Sequence, residues 1–258
     1  MENILKIFIS IIILYGLIHF FILGAHKSKV INDTKDSFYS VGTEFTPPIF
    51  SLGFIDGHIH KDDNGNVYKM HPLYIGNLAL TSGKIVVGEP YYFFDIEPLD
   101  IALKIGTYPV YLAEVIIKKK NLVVDKRNAL VKVKLASSPA VTWKYKASFS
   151  VDGGTGGYFD YQNLKEIISN QNFDNFIDSV MKEFGTTYTT PKPFHEKHHL
   201  YHQYKNISYK DSNIIIFSAG WGDGVYNSYI GYDSEGNVVE ILTDLGVIWW
   251  DPKVYSRS

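Results

Sequence analysis

Apolar residues change rhythm along this chain, and each rhythm predicts a different element. Residues 7–25 (IFISIIILYGLIHFFILGA) run without a formal charge. As a helix this run spans about 28 Å, close to the roughly 30 Å hydrocarbon layer of a bilayer, so it predicts a transmembrane helix. Further on the apolar runs become short and rich in Ile, Val, Tyr and Phe, at 75–80, 84–87, 108–117, 129–135, 213–219, 225–232 and 237–242, with Gly, Asn, Asp and Pro between them. Val131, Val133 and Leu135 alternate with Lys132 and Lys134, the period of a strand in an antiparallel sheet with one wet face. A helical period appears at Phe173, Phe176, Ile177, Val180, Met181 and Phe184, with Gly185 placed to end it. A shorter helical turn around Leu164, Ile167 and Ile168 has Asp160 as its candidate N-cap.

The connectors fit the same reading. Ser82-Gly83 suits a tight hairpin, and Asp62–Val67 and Asp233–Val238 share a turn grammar in which Gly supplies positive φ before the next strand. The fold class expected is α+β, predominantly antiparallel β with one or two short helices, preceded by the N-terminal transmembrane helix. The corresponding organisation is an anchor over 1–25, a polar linker over 26–46 and a β-rich domain over 47–258.

The flanks of the first segment bear on its role. A cleaved signal peptide usually has a shorter apolar region followed by small residues, whereas Leu23-Gly24-Ala25 puts a large residue where a small one is wanted, which favours an uncleaved anchor. Lys6 precedes the run, and Lys27, Lys29 and Lys35 follow it. The positive-inside rule therefore tilts the expectation toward a single-pass membrane protein with its C-terminal domain in the cytoplasm. The chain has no cysteine, which removes disulfides, thiolate metal sites and cysteine nucleophiles from consideration. With 25 basic against 27 acidic residues, no nucleic-acid partner is expected from net charge.

Motif-like strings narrow the chemistry. Gly53–His60 holds a His-x-His pair, His58 and His60, which would share a strand face as in amidohydrolase barrels, but the downstream sequence lacks the βα units such a barrel needs. His195-Glu196-Lys197-His198-His199 satisfies H-E-x-x-H, yet it lies beside Pro191-Lys192-Pro193 with little apolar face, so a solvated connector is the better reading. Neither string is taken as a metal site, and no cofactor is implied. Val151-Asp152-Gly153-Gly154-Thr155 resembles a phosphate loop of the actin and sugar-kinase superfamily, without the second loop that superfamily requires. Ser218–Tyr226 carries glycines at 220, 222 and 224 in a tight connection that would leave Trp221, Asp223 and Tyr226 near one rim.

The order of these motifs is itself informative. Ile75-Gly76-Asn77-Leu78, Ser82–Val86, Glu89-Pro90, Gly106–Val110, Trp143, Val151–Gly156 with Asp160, and Gly220-Trp221-Gly222-Asp223-Gly224 with Tyr226 and Asp244 together resemble the bacterial DUF4241 family over about residues 70–250. The resemblance implies a shared fold without an assigned activity. It also implies that the two Gly-rich segments belong to one domain. If they converge, Asp152, Asp160, Trp221, Asp223 and Tyr226 form a candidate ligand-binding patch of carboxylates beside aromatic rings. The leading expectation is a membrane-anchored binding or interaction module with a possible protein partner, an immunity-type role being one form. Alternatives are a carboxylate- or metal-dependent hydrolase and an envelope-associated structural protein.

Overall fold

In the computed structural model the described residues are 40–170, 173–185 and 204–257. The described residues from Val41 onward belong to one compact unit. The anchor run 7–25 and the string His195–His199 lie outside the described residues. Among the described residues no helix is long and apolar enough to cross a membrane.

Strands β1 (Glu44–Phe45), β2 (Ile59–Lys61), β3 (Asn66–Leu80), β4 (Ile85–Gly88), β5 (Gly106–Lys119), β6 (Leu122–Lys134), β7 (Thr142–Val151), β8 (Thr155–Asp160), β9 (Tyr204–Tyr209), β10 (Ser212–Ser218), β11 (Gly224–Tyr232), β12 (Val238–Asp244) and β13 (Ser256–Arg257) pair antiparallel. They build a nine-stranded sheet in the order β13-β1-β7-β11-β12-β6-β5-β3-β2 and a four-stranded sheet in the order β4-β8-β10-β9. Helices are few and short: α1 (Ile49–Leu52), α2 (Tyr161–Ser169), α3 (Phe173–Gly185), α4 (Pro252–Tyr255) and a 3-10 helix over Pro90–Asp95. The fold is therefore predominantly antiparallel β.

Layering explains the sequence rhythms. The small sheet lies between the large sheet and the helices, so β8 and β10 are buried at every position, and the run Ile214-Ile215-Ile216-Phe217 is apolar without a break. Tyr158, Ile215 and Phe217 pack with Leu112, Val131 and Ile241 of the large sheet. Their strand neighbours Phe159, Ile214 and Ile216 face the opposite way and pack with Leu164, Ile177, Val180 and Phe184 of α2 and α3. Burying each such helix side chain stabilises the fold by about 1.5–3 kcal/mol. Beyond this sandwich, Phe45, Phe50, Trp143, Tyr229 and Trp250 pack their rings together, several of them edge to face.

The repeated turn grammar has a common cause. Asp62 accepts from the backbone N–H of Asn64 and Asn66, and Asp233 accepts from Glu235 and Asn237, each closing a tight turn between paired strands. Ser82-Gly83 differs from expectation. It closes no hairpin, because β3 and β4 belong to different sheets; it carries the chain from one sheet to the other. Asp160 fixes that crossing. Its fully buried carboxylate accepts from Thr81 N and Ser82 N at 2.8 Å each, and from Gln162 N at 3.0 Å and Asn163 N at 3.1 Å as the N-cap of α2. Burial alone would raise this carboxyl, but the hydrogen bonds from Ser82 and Asn163 outweigh it and hold it below its usual value.

Asp160→Ala should therefore cost about 3 kcal/mol or more, and Asp160→Asn somewhat less, in urea unfolding at neutral pH. Since the folded-state pKa is depressed, the carboxylate's contribution is complete above about pH 4 and lost as pH falls through the folded value. The gap between wild type and Asp160→Asn should narrow at pH 3. A gap that is constant with pH would contradict this role.

Candidate functional site

The two Gly-rich segments meet because β8 and β10 are neighbours. Ser218 stands opposite Thr155 in the register, and the ladder continues past the strand ends as Ala219 N–H donates to the Gly154 carbonyl at 2.8 Å. A Cβ placed on Gly154 would stand 4.0 Å from the Cα of Gly222. Two glycines make the second loop possible. Gly220 (φ +29°) packs so closely on residue 245 that a Cβ there would lie 2.0 Å from the Leu245 carbonyl oxygen. Gly222 takes φ +100° with open space around it, so its need is conformational rather than steric.

Side chains from other elements brace both loops. From β6, Asn128 donates to the Ser218 carbonyl at 3.0 Å and Arg127 to the Gly220 carbonyl at 3.3 Å. The Arg127 guanidinium also pairs with Asp125 at 2.9 Å and lies over the ring of Trp221, 4.8 Å from its centroid, a cation–π contact. The first loop is clamped by Glu89, whose oxygens accept from Asp152 N at 2.7 Å and Gly153 N at 2.6 Å. The loop that resembles a phosphate cradle thus already holds an anion, an internal carboxylate.

Between the loops opens a pocket of about 500 Å³, lined by Gly153, Gly154, Thr155, Ser218, Ala219, Trp221, Gly222 and Asp223, with Tyr91 of the 3-10 helix and Met181 and Phe184 of α3 completing it. Strand alternation sets its floor. Phe159 and Ile216 face the helices, and so do Thr155 and Ser218 on the same strands. The Thr155 hydroxyl is buried and has no hydrogen-bond partner among the described residues.

The electrostatics of this end of the molecule are acidic. Burial raises the Glu89 carboxyl above its usual range, the two backbone N–H groups pull it down, and the charges of Asp152 and Asp223 raise it again. Burial, the charges of Asp152 and Glu89, and a hydrogen bond to Asp152 likewise raise the Tyr92 phenol. Each Glu89 oxygen spends one of its acceptor sites on the loop backbone.

Of the residues expected at the site, Trp221 and Asp223 line the pocket and Asp152 stands beside it. Asp160 lies at the far end of β8, five strand steps or about 17 Å from Thr155, and serves the crossing between sheets. Tyr226 turns inward: it is buried, and its hydroxyl donates to the Gly222 carbonyl at 2.8 Å, shaping the loop from beneath. The expected meeting of Asp152, Asp160 and Asp223 is thus replaced by one of Glu89, Asp152 and Asp223. Glu89 has no periodicity to mark it, although its place before Pro90 was part of the motif order. Arg127 was signalled only by a charged interruption, Asp125-Lys126-Arg127-Asn128, in an otherwise apolar strand.

A second pocket of about 720 Å³ lies on the other side of Trp221, with His58, His60, Tyr68, Trp249 and Trp250 among its walls. His58 and His60 do share it, but Asp62 is committed to Asn64, Asn66 and Tyr68. Among the described residues no three His, Asp or Glu side chains gather as metal ligands. Below the Trp221 loop, Asp244 accepts from Gly246 N at 2.9 Å and Trp250 Nε1 at 2.8 Å. Although it keeps some solvent contact, dense packing pushes its carboxyl up to about 6, against those hydrogen bonds.

Two outcomes follow for the loop. Gly220→Ala should lower stability by about 3 kcal/mol or more, since backbone must move, while Gly222→Ala should cost about 1–2 kcal/mol from strain alone; equal costs in chemical denaturation would contradict the packing described. For Asp244 the folded-state pKa is raised, so its favourable contribution is complete below about pH 4 and is lost as pH rises through about 6. Asp244→Asn should gain on wild type by an amount on the order of 1–2 kcal/mol between pH 4.5 and 7.5, discounted for solvent screening. Parallel stability curves for the two proteins would refute the raised pKa.

The family model described as "Protein of unknown function (DUF4241)" matches residues 78–243, a span that includes Glu89, both glycine loops and most of both sheets. No curated protein and no solved structure matches the chain. The matched span covers well over half of the sequence, and the chain belongs to the DUF4241 family.

Proposed function

We propose that this protein is a binding module that receives its ligand in the pocket between the two glycine loops and is tethered to a membrane through residues 7–25. The observation that carries the binding reading is the construction of the pocket: buried Glu89, Arg127 and Asn128 spend their hydrogen bonds on holding loop backbone in place, while Trp221 and Asp223 stay exposed at its mouth. Such preorganisation lowers the cost of binding. A scaffold whose glycines serve packing alone would have no pocket lined by these residues. A carboxylate hydrolase needs an acid within reach of its substrate, and Glu89, the carboxyl raised by burial, braces the first loop and is not among the residues that line the pocket. The tether rests on the uncharged length of 7–25.

Both halves of the proposal are testable in cells on the full chain. A photoreactive phenylalanine analogue at Tyr91 should yield a discrete crosslinked adduct that is lost in Trp221→Ala and Asp223→Ala variants that still fold, whereas the same analogue at exposed Leu122 on the β5–β6 turn should not. The absence of any adduct at Tyr91 would count against a ligand in this pocket. The full chain should stay with membranes through alkaline carbonate extraction, and deletion of 1–39 should release it; release of the full chain would refute the tether.

A further inference from the structure

The pocket's wall chemistry specifies its guest more closely than its shape does. Asp223 lines its mouth, Asp152 stands beside it, and the charges of both act on Glu89 behind the first loop, while no lysine or arginine is ion-paired to any of the three among the described residues. The nearby guanidinium of Arg127 is committed to Asp125, the Gly220 carbonyl and one face of Trp221. An acidic cluster alone would be no more than a solvated rim. Here a second feature belongs to the same space: Thr155, only 4% exposed, lines the pocket from the helix side of the small sheet, and its hydroxyl has no partner among the described residues. Leaving such a group unpaired is costly, and a hydrogen-bonding guest offsets that cost. Met181 and Phe184 supply apolar walls, and Tyr91 and Trp221 supply ring faces. Anionic rim, aromatic faces and an apolar wall together suit a cation on an aliphatic stem.

The surroundings indicate that the stem belongs to a polypeptide. On the 3-10 helix beside the pocket, Tyr91, Tyr92 and Phe94 are 43%, 45% and 50% exposed, and Phe94 packs edge to face on Phe173. An exposed aromatic patch continuing from an acidic pocket marks a surface that a partner chain covers. Resting on the binding reading above, we infer that the guest is a basic side chain, arginine or lysine, presented by a protein partner whose flanking apolar residues cover Tyr91–Phe94.

The test is ligand-detected NMR on the full chain in detergent solution with the peptides Ac-Leu-Arg-Leu-NH2 and Ac-Leu-Lys-Leu-NH2, their citrulline and glutamate counterparts, and free Nα-acetyl-arginine amide. The basic peptides should bind at least tenfold more tightly than the citrulline or glutamate peptides. Binding should weaken on raising salt and fall at least tenfold in Asp152→Asn/Asp223→Asn, whose exposed positions leave the fold intact, as a thermal melt checks. Equal binding of the arginine and citrulline peptides overturns the charge requirement. Equal binding of the arginine peptide and acetyl-arginine amide overturns the polypeptide source. If no peptide binds while the Tyr91 crosslink persists, this inference fails and the binding reading stands; if the crosslink is absent as well, both fail.

Discussion

The pairing of β8 with β10 is the constraint on which the rest of the structure depends. It forms the centre of the small sheet, and it brings two loops distant in sequence to one end of that sheet, where Ala219 donates to Gly154 across the last rung. Because the small sheet is covered on both faces, its ladder is shielded from water and its register is strongly specified. Where the two loops leave the sheet, at Thr155 and Ser218, follows from that register.

What the loops do with this position is set by side chains that never reach the ligand space. Arg127 and Asn128 reach from the large sheet to loop carbonyls, and Glu89 reaches from the start of the 3-10 helix to loop N–H groups. Carbonyls are thus held by donors and amides by an acceptor, and each backbone group finds a partner of the right polarity. Glu89 has a second consequence. By filling the amide nest of Asp152 and Gly153 it makes this end of the molecule repel anions, which reverses the chemistry that the glycine-rich sequence suggests when read alone.

Much of this fold was legible in the sequence, and the failures have physical causes. The seven apolar runs all fall on strands, four of them overhanging the strand by one residue, because alternation or continuous burial leaves a direct imprint on residue choice. The helix 173–185 and the Asp160 cap were equally plain. β8 was not: Thr155-Gly156-Gly157 reads as a loop, since glycine is depleted in strands. Glycine is needed there because a Cβ on Gly156 would lie 2.6 Å from the Phe217 ring. β7 alternates Trp143, Tyr145, Ala147, Phe149 and Val151 against Lys and Ser, but a bulge between Tyr145 and Ala147 puts Trp143 and Tyr145 on the face of Tyr229 and Phe149 and Val151 on the opposite face in the main core, so one period in sequence serves two sides of the sheet. At the site, Trp221 and Asp223 were readable from their glycine neighbours. Asp160 fits the cap that its sequence also suggested and not the patch, and Tyr226 faces inward, because a capping carboxylate and a buried phenol look, in sequence, like ligand-binding groups.

The central claim is that the two glycine loops touch, and the absence of native cysteine permits a direct measurement. In a Gly154→Cys/Gly222→Cys variant the two Cα atoms lie no more than about 5.5 Å apart, within the Cα–Cα reach of a disulfide, given that a Cβ on Gly154 stands 4.0 Å from the Gly222 Cα. The account predicts that mild oxidation of the folded full chain forms this crosslink nearly quantitatively, seen as loss of titratable thiol, while a Gly154→Cys/Gly236→Cys pair stays reduced. If both thiols of the first pair remain free in the folded protein, the loops do not meet and the pocket between them does not exist.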